Sequence, residues 1–161
     1  MRVRAEQLMR ELRLEPHPEG GHYRVVYRSR SRVAPSDGRG DRTALTTIYF
    51  LLVEGEVSCW HRVRSDEAWH YYEGDPLELF TMEAQGGDPV RHLLGSAGPE
   101  TRPVHVVPAD AWQAARTTGA YTLVGCTVGP GFEFDDFSLL RENPEQVAPA
   151  LRRQPGVTAF L

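Results

Sequence analysis

The segment from Ser58 to Gly74 holds the residues of this sequence that are best suited to chemistry. Side chains two positions apart in a β-strand share a face, so His61 and Val63 point to the same side. A turn over residues 64–66 then brings Glu67 alongside on the next strand. An imidazole that faces a carboxylate can exchange protons with a substrate, or the two can bind one cation.

One interpretation of this pair is acid–base catalysis without a metal. A histidine held by a carboxylate removes a proton from the substrate, and a tyrosine on the opposite side supplies one. The sequence offers two residues for each role: His61 or His70 as the base, Glu67 or Asp136 as the carboxylate, and Tyr23 or Tyr72 as the donor. Spacing along the chain does not determine which of them meet. The candidate catalytic residues are His61, Glu67, His70 and Tyr72.

Aromatic residues beside these positions suggest a pocket with an aromatic wall. Trp60 and Trp69 are the sequence neighbours of the two central histidines, and aromatic rings commonly line small-molecule sites. Phe134 and Asp136 alternate within the segment Phe132–Phe137 and are predicted to share one face of a strand. The candidate ligand-binding residues are Tyr23, Ser58, Trp69, Gln113, Phe134 and Asp136.

The turn from Pro16 to Gly21 contains two further polar residues. Its prolines and glycines exclude regular structure and predict a rigid turn. Glu19 is either a carboxylate presented to a site or a part of the turn itself. His17 is expected to cap backbone groups of the turn.

The remaining sequence predicts the fold that must position these residues. Short apolar runs separated by turn residues are typical of an all-β sandwich or barrel. A short helix is predicted at Arg4–Arg13 and another at Asn143–Leu151, and Arg28–Arg42 is predicted to be an exposed loop. The predicted strands are 22–27, Leu45–Val53, Val57–Val63, Ala68–Tyr72, Leu77–Met82, Pro89–Leu94, Thr101–Val107, Tyr121–Val128 and Glu133–Leu140.

Composition limits the class of protein. The 161 residues are 40% apolar and 25% charged, which is typical of one globular domain spanning residues 1–161. A net charge of −4 with scattered arginines argues against a nucleic-acid partner. No apolar run suits a membrane span, and the absence of a secretory signal predicts a cytoplasmic location. Cys59 and Cys126 are predicted to be reduced thiols.

The segment around His61 also resembles the first motif of the cupin superfamily. In that motif a strand bearing His-x-His is followed by a strand bearing Glu and ends at Gly. His61, Glu67 and Gly74 match the pattern, whereas Val63 stands in place of the second histidine. The resemblance therefore leaves this chain without one of the ligands that metal-dependent cupins use.

The second cupin motif aligns with residues 108–113, where Gln113 occupies the position of the last histidine. The resemblance thus implies a metal-ligand set of His61, Glu67 and Gln113. One imidazole, one carboxylate and one amide would hold a divalent transition metal less tightly than the complete set of three histidines and a glutamate.

A longer resemblance is to one branch of that superfamily, the cupin 5 (DUF985) family of RmlC-like jelly-roll proteins. It rests on six blocks: Pro16–Gly21, Trp60–Val63, Ser65–Glu67, Trp69–His70, Gly74–Leu77 and Gly129–Phe132. The resemblance implies a double-stranded β-helix, or jelly roll, a homodimer, and a pocket in the mouth of the barrel.

These observations lead to one functional expectation and two alternatives. The leading hypothesis is a small-molecule-binding cupin that acts as an isomerase or epimerase on a carbohydrate-like or carbonyl metabolite, by histidine and carboxylate acid–base chemistry. One alternative is a non-catalytic module that binds or senses a small molecule. The other is an enzyme that depends on a weakly held metal. The fold alone does not decide among them.

Overall fold

The computed structural model describes residues 2–143, 145 and 158–161 of the chain. Within these residues it contains one α-helix and a series of short strands. The elements are α1 (Arg2–Glu11), β1 (Glu15–Pro16), β2 (His22–Arg28), β3 (Arg32–Val33), β4 (Arg42–Thr43), β5 (Thr46–Val53), β6 (Ser58–Val63), β7 (Asp66–Gly74), β8 (Leu77–Met82), β9 (Val90–Leu94), β10 (Val104–Val107), β11 (Trp112–Thr117), β12 (Tyr121–Gly129) and β13 (Phe137–Leu139). Two 3-10 helices, Phe134–Asp136 and Leu140–Glu142, flank β13.

Two antiparallel sheets form the body of the fold. The first has the strand order β1-β2-β5-β12-β7-β10, and the second has the order β13-β6-β11-β8-β9. A separate hairpin pairs β3 with β4. Strands that are neighbours in a sheet come from distant parts of the chain, as when β12 lies between β5 and β7. This arrangement confirms the predicted all-β jelly roll.

The core has an inner layer and two outer layers. The inner layer lies between the sheets and includes Phe50, Trp69, Leu79 and Val124. Helix α1 covers part of the outer face of the first sheet through Leu8, and a second cluster covers the outer face of the second sheet. Because both faces of each sheet are partly covered, apolar and polar residues do not alternate strictly along the strands.

Strand β11 was not predicted, and its burial explains why. Gln113, Ala114 and Ala115 are each at most 1% exposed, and the strand lies between β6 and β8 in the middle of its sheet. A strand buried on both faces lacks the period-two pattern on which strand prediction depends. The other predicted strands are present with small shifts at their ends, except at Glu133–Leu140.

Three predicted elements need comment. Residues 134–136 form a 3-10 helix and only Phe137–Leu139 is a strand, so Phe134 and Asp136 do not share a strand face. The segment Arg28–Arg42 is not a simple exposed loop, because it contains most of the β3–β4 hairpin and the Arg39 side chain is 4% exposed. The helix predicted from Asn143 to Leu151 falls largely outside the described residues.

Two further expectations concern the thiols and the membrane. Cys59 and Cys126 are both free, as predicted. None of the described helices has the length and apolar character that crossing a bilayer requires.

Candidate active site

A cavity of about 200 Å³ opens at one end of the two sheets. It contains a group of buried polar side chains surrounded by apolar and aromatic ones, with an Arg28–Glu133 ion pair also lining it. The lining residues are His17, Glu19, Tyr23, Val25, Arg28, Thr46, Ile48, Phe50, His61, Val63, Glu67, Cys126, Val128, Phe132, Glu133 and Phe134.

A bulge in β6 brings Ser58 and His61 to the same side of the sheet. Gln113 pairs with His61 and Ala115 pairs with Ser58, so three steps along β6 correspond to two steps along β11. In a regular strand, residues three apart face opposite sides, and the bulge removes that difference. Both side chains consequently reach the same carboxyl group, that of Glu19.

The turn between β1 and β2 places Glu19 beside β6. The backbone N–H of Cys59 donates to the carbonyl oxygen of Glu19 at 2.7 Å, which ties the turn to the bulged strand. The Ser58 hydroxyl donates to Glu19 Oε1 at 2.7 Å. The other oxygen, Oε2, lies 3.3 Å from His61 Nε2 and 3.4 Å from His17 Nδ1.

The hydrogen bonds around His61 determine where its proton lies. Nδ1 is 2.8 Å from the carbonyl oxygen of Cys59, which can only accept, so Nδ1 carries a hydrogen. In the neutral ring Nε2 is then an acceptor that faces Glu19. A hydrogen bond between these groups needs one proton, shared between the imidazole and the carboxyl.

Burial favours the neutral form of both partners. It raises the pKa of Glu19 and lowers the pKa of His61, because each charged form loses its water on burial. The favoured state is a carboxylic acid that donates to a neutral imidazole. Moving the shared proton to His61 gives an ion pair of the two side chains. The Glu19–His61 pair can also pass this proton to a ligand and later take one back.

Glu67 is the second buried carboxyl group of the cavity, and a chain of hydrogen bonds fixes it. The indole N–H of Trp69 donates to Gln113 Oε1 at 2.8 Å, and Gln113 Nε2 donates to Glu67 Oε2 at 2.6 Å. Since an indole can only donate, the amide of Gln113 must turn its N–H towards Glu67. Burial raises the pKa of Glu67 to about 7, with attraction by His61 opposing the shift. Glu67 is therefore suited to give or take a proton near neutral pH.

The cavity contains some of the predicted site residues and is supported by others. His61, Glu67, Tyr23 and Phe134 line it. Ser58, Trp69 and Gln113 lie behind its surface and hold the two carboxyl groups by the hydrogen bonds just described. The structure thus assembles seven of the predicted residues around one site: Tyr23, Ser58, His61, Glu67, Trp69, Gln113 and Phe134.

His70 and Tyr72 are not part of this group, contrary to expectation. Glu67 and Trp69 are buried on the inner face of β7, and the alternation of the strand directs His70 to the other face. Tyr72 is 51% exposed, and its hydroxyl lies over Gly125 on the outer surface. Neither side chain lines the cavity.

Asp136 also lies outside the cavity, where it binds two arginines. Arg42 donates from Nε to Oδ2 at 2.8 Å and from Nη2 to Oδ1 at 2.9 Å, and Arg39 Nη1 donates to Oδ2 at 3.2 Å. The hydrogen bond from Arg42 lowers the pKa of Asp136. This cluster anchors the chain next to the aromatic cavity wall at Phe132 and Phe134.

The predicted metal ligands do not fit a cation in this arrangement. Gln113 presents to Glu67 an amide N–H, which has no free lone pair, and its oxygen is bound by Trp69. Val63 lines the cavity without any donor atom. In the described part of the chain, no three His, Cys, Asp or Glu side chains form a group that could hold a metal.

Sequence reasoning left Glu19 and His17 out of the site. Glu19 was given two possible roles and has both, since it belongs to the turn and contacts His61. His17 caps a backbone group as expected, by accepting from the N–H of Glu19 at 3.3 Å, and it also lines the cavity. The signal was the motif Pro16–Gly21, which belongs to the family resemblance but lies far from His61 in sequence.

Replacing Gly20 by Ala should displace Glu19 and destabilise the protein by at least about 2 kcal/mol. Gly20 has φ +104°, and an added Cβ would overlap the carbonyl oxygen of Val57. The control is Gly55→Ala, since Gly55 has φ +87° but nothing within 4 Å of an added Cβ. Urea unfolding of the three proteins measures the difference. An equal loss of unfolding free energy in both variants would contradict a close approach of Gly20 to the Val57 carbonyl group.

Comparison with known proteins identifies the family to which this chain belongs. The family described as "Cupin superfamily (DUF985)" matches residues 6–140. A Shewanella oneidensis protein with a crystal structure has 34% sequence identity to this chain, and the match covers 97% of this chain and 96% of that one, with a TM-score of 0.85. A hypothetical protein from Leishmania major also has 34% sequence identity, and the match covers 92% of this chain and 97% of that one, with a TM-score of 0.78.

More distant similarity concerns the fold alone. Oxalate decarboxylase from Bacillus subtilis is 13% identical over 78% of this chain and 29% of that one, with a TM-score of 0.58. The search of curated proteins gave no match to this sequence.

Proposed function

The chain belongs to the DUF985 family of the cupin superfamily, and from this premise we propose that it is an isomerase-type enzyme that moves a proton within a small carbonyl metabolite. The observation that carries the proposal is the presence of two buried acid–base units in one cavity. One is the Glu19–His61 pair and the other is Glu67. Both are held by buried neighbours.

Two units are what a proton shift along a carbon skeleton requires. The Glu67 carboxylate takes the proton from the carbon next to the carbonyl group, and the electron pair of the broken C–H bond forms an enol. The Glu19–His61 pair gives its shared proton to the carbonyl oxygen. When the carbon that lost its proton bears a hydroxyl group, Glu67 returns the proton to the former carbonyl carbon and the Glu19–His61 pair takes the proton of that hydroxyl group. The carbonyl group has then moved to the neighbouring carbon, with no net gain or loss of protons. When no such hydroxyl group is present, the enol returns its O–H proton to the pair and Glu67 protonates the original carbon, which gives hydrogen exchange.

The rest of the cavity favours a carbonyl compound with an apolar part over an unmodified sugar. Val25, Ile48, Phe50, Phe132 and Phe134 lie among the lining residues, and a sugar would leave several hydroxyl groups without partners against them. A cavity of about 200 Å³ limits the ligand to a small metabolite.

The test is exchange of carbon-bound hydrogen in D₂O, followed by proton NMR. The probes are phenylpyruvate, 2-oxobutyrate, 2-oxoisocaproate and D-xylose. We expect the protein to accelerate exchange next to the carbonyl group of at least one oxo acid. Glu19→Gln should slow this about 100-fold, because an amide keeps a hydrogen bond to His61 but cannot release its proton. Glu83→Gln, at an exposed carboxyl group outside the cavity, is the control.

A second function, binding without catalysis, is favoured by one observation. Three of the four oxygens of the Glu19 and Glu67 carboxyl groups already have partners: both oxygens of Glu19, in Ser58 and His61, and Oε2 of Glu67, in Gln113. Saturable binding of an oxo acid with no exchange in any probe would support this alternative and contradict the enzymatic proposal.

A further inference from the structure

His17 has a hydrogen-bonding state that is fixed by the turn in which it lies. The backbone N–H of Glu19 points at its Nδ1 at 3.3 Å, so this nitrogen must accept and cannot carry a hydrogen. The neutral ring therefore has its hydrogen on Nε2. A backbone N–H cannot change this role, in contrast to a side-chain hydroxyl.

The surroundings of His17 keep the ring neutral and hold its orientation. The side chain is 6% exposed, and burial lowers the pKa of His17. The ring of Tyr23 is edge-on at 4.6 Å between centroids, and Phe50 and Phe137 are edge-on at 6.1 and 6.0 Å. Phe134 lies nearly parallel at 6.2 Å. The ring is therefore enclosed by four aromatic groups, of which only the Tyr23 side chain carries a polar atom.

Among the described residues no hydrogen bond is found at His17 Nε2, and this nitrogen is not one of the buried polar atoms that lack a partner, so it is open to the cavity that His17 lines. An oxygen of a ligand can therefore replace water as the acceptor of its hydrogen. We propose that His17 donates its Nε2–H to an oxygen of the bound ligand. This rests on the proposed function, and it assigns the ligand an uncharged or partly charged oxygen acceptor at this point of the cavity.

The two ring nitrogens of His17 serve different neighbours. Nδ1 faces Glu19, whereas Nε2 lies on the opposite edge of the imidazole and points away from Glu19. The oxygen bound at Nε2 is therefore a different oxygen from the one that the Glu19–His61 pair protonates. His17 is thus a ligand-binding residue with no proton transfer of its own, and as a neutral donor it adds no charge to the cavity.

The test compares two ligands of the same shape, cyclohexanone and methylenecyclohexane, which differ in whether an oxygen or a CH₂ group is double-bonded to the ring. Dissociation constants are measured by NMR titration. The ratio of the two dissociation constants should favour the ketone about five- to tenfold more in the wild-type protein than in His17→Leu. His17→Gln, which retains a neutral N–H donor, should keep the wild-type ratio.

The hydrocarbon also reports whether each variant keeps its cavity, because its binding needs no hydrogen bond. Unchanged hydrocarbon binding with weakened ketone binding is the result expected for His17→Leu. The same ratio of dissociation constants in the wild-type protein and in His17→Leu would overturn the proposal. This outcome is separate from failure of the proposed function, which is measured by hydrogen exchange in the wild-type protein.

Discussion

Glu67→Gln is expected to remove nearly all proton exchange and, above neutral pH, to make the folded protein more stable. A missing general base costs up to about 10⁴-fold in rate, and we expect a loss of at least about 10³-fold. The amide still has an oxygen to accept the hydrogen bond from Gln113, so the chain from Trp69 through Gln113 remains intact. The loss of exchange would then reflect the lost proton and leave the cavity in place.

The stability effect has a definite sign. Burial raises the pKa of Glu67 to about 7 from an ordinary value of 4.5. Between these values the folded state keeps a proton that the unfolded state has released, so stability falls as pH rises through this window. The full loss is on the order of 3 kcal/mol, since each pKa unit corresponds to about 1.4 kcal/mol. Glu67→Gln carries no ionisable group and does not suffer this loss.

The measurement is urea unfolding of the wild-type protein and Glu67→Gln at pH 4 and pH 8. The free energy of unfolding of the variant, relative to wild type, should rise by on the order of 3 kcal/mol from the lower to the higher pH. Glu83→Gln, at an exposed position, serves as the control. A difference that does not change with pH would contradict a buried, proton-holding Glu67.

The sequence predicted the jelly roll well and the site in part, and the reasons differ from residue to residue. His61 and Glu67 were found because they lie in neighbouring strands and fit a family motif. The same alternation that places Glu67 inside directs His70 to the outer face, so the position of His70 outside the cavity could have been predicted from the sequence. The homodimer implied by the family resemblance stays a prediction.

Other features could not be found from local sequence. The bulge that turns Ser58 and His61 to one side depends on pairing with β11, a strand whose burial hides its pattern. The contact of Glu19 with His61 depends on a turn far from β6 in sequence. Long-range contacts of this kind decide which polar residues share a cavity, and spacing along the chain carries no information about them.

Asp136→Ala is expected to destabilise the protein by about 3 kcal/mol, because it removes the carboxylate that Arg42 binds and one of the two that Arg39 binds. The Asp136 side chain is 1% exposed, and the Arg39 side chain beside it is 4% exposed. Losing the anchor should also displace the adjacent wall at Phe132 and Phe134 and weaken cyclohexanone binding. Urea unfolding and the same NMR titration measure the two effects.

The pH dependence separates this ion-pair effect from a packing defect. Because the hydrogen bond from Arg42 lowers the pKa of Asp136, the stability it contributes is present above the ordinary aspartate pKa of about 4 and is lost as pH falls through the lower, folded value. The difference between wild type and Asp136→Ala should therefore shrink in strong acid. Glu15→Ala is the matched control, since its 3.5 Å pair with Arg24 is exposed and worth less than about 1 kcal/mol. A loss at Asp136 as small as that control, or one that is unchanged in acid, would show that packing and not charge holds the aromatic wall in place.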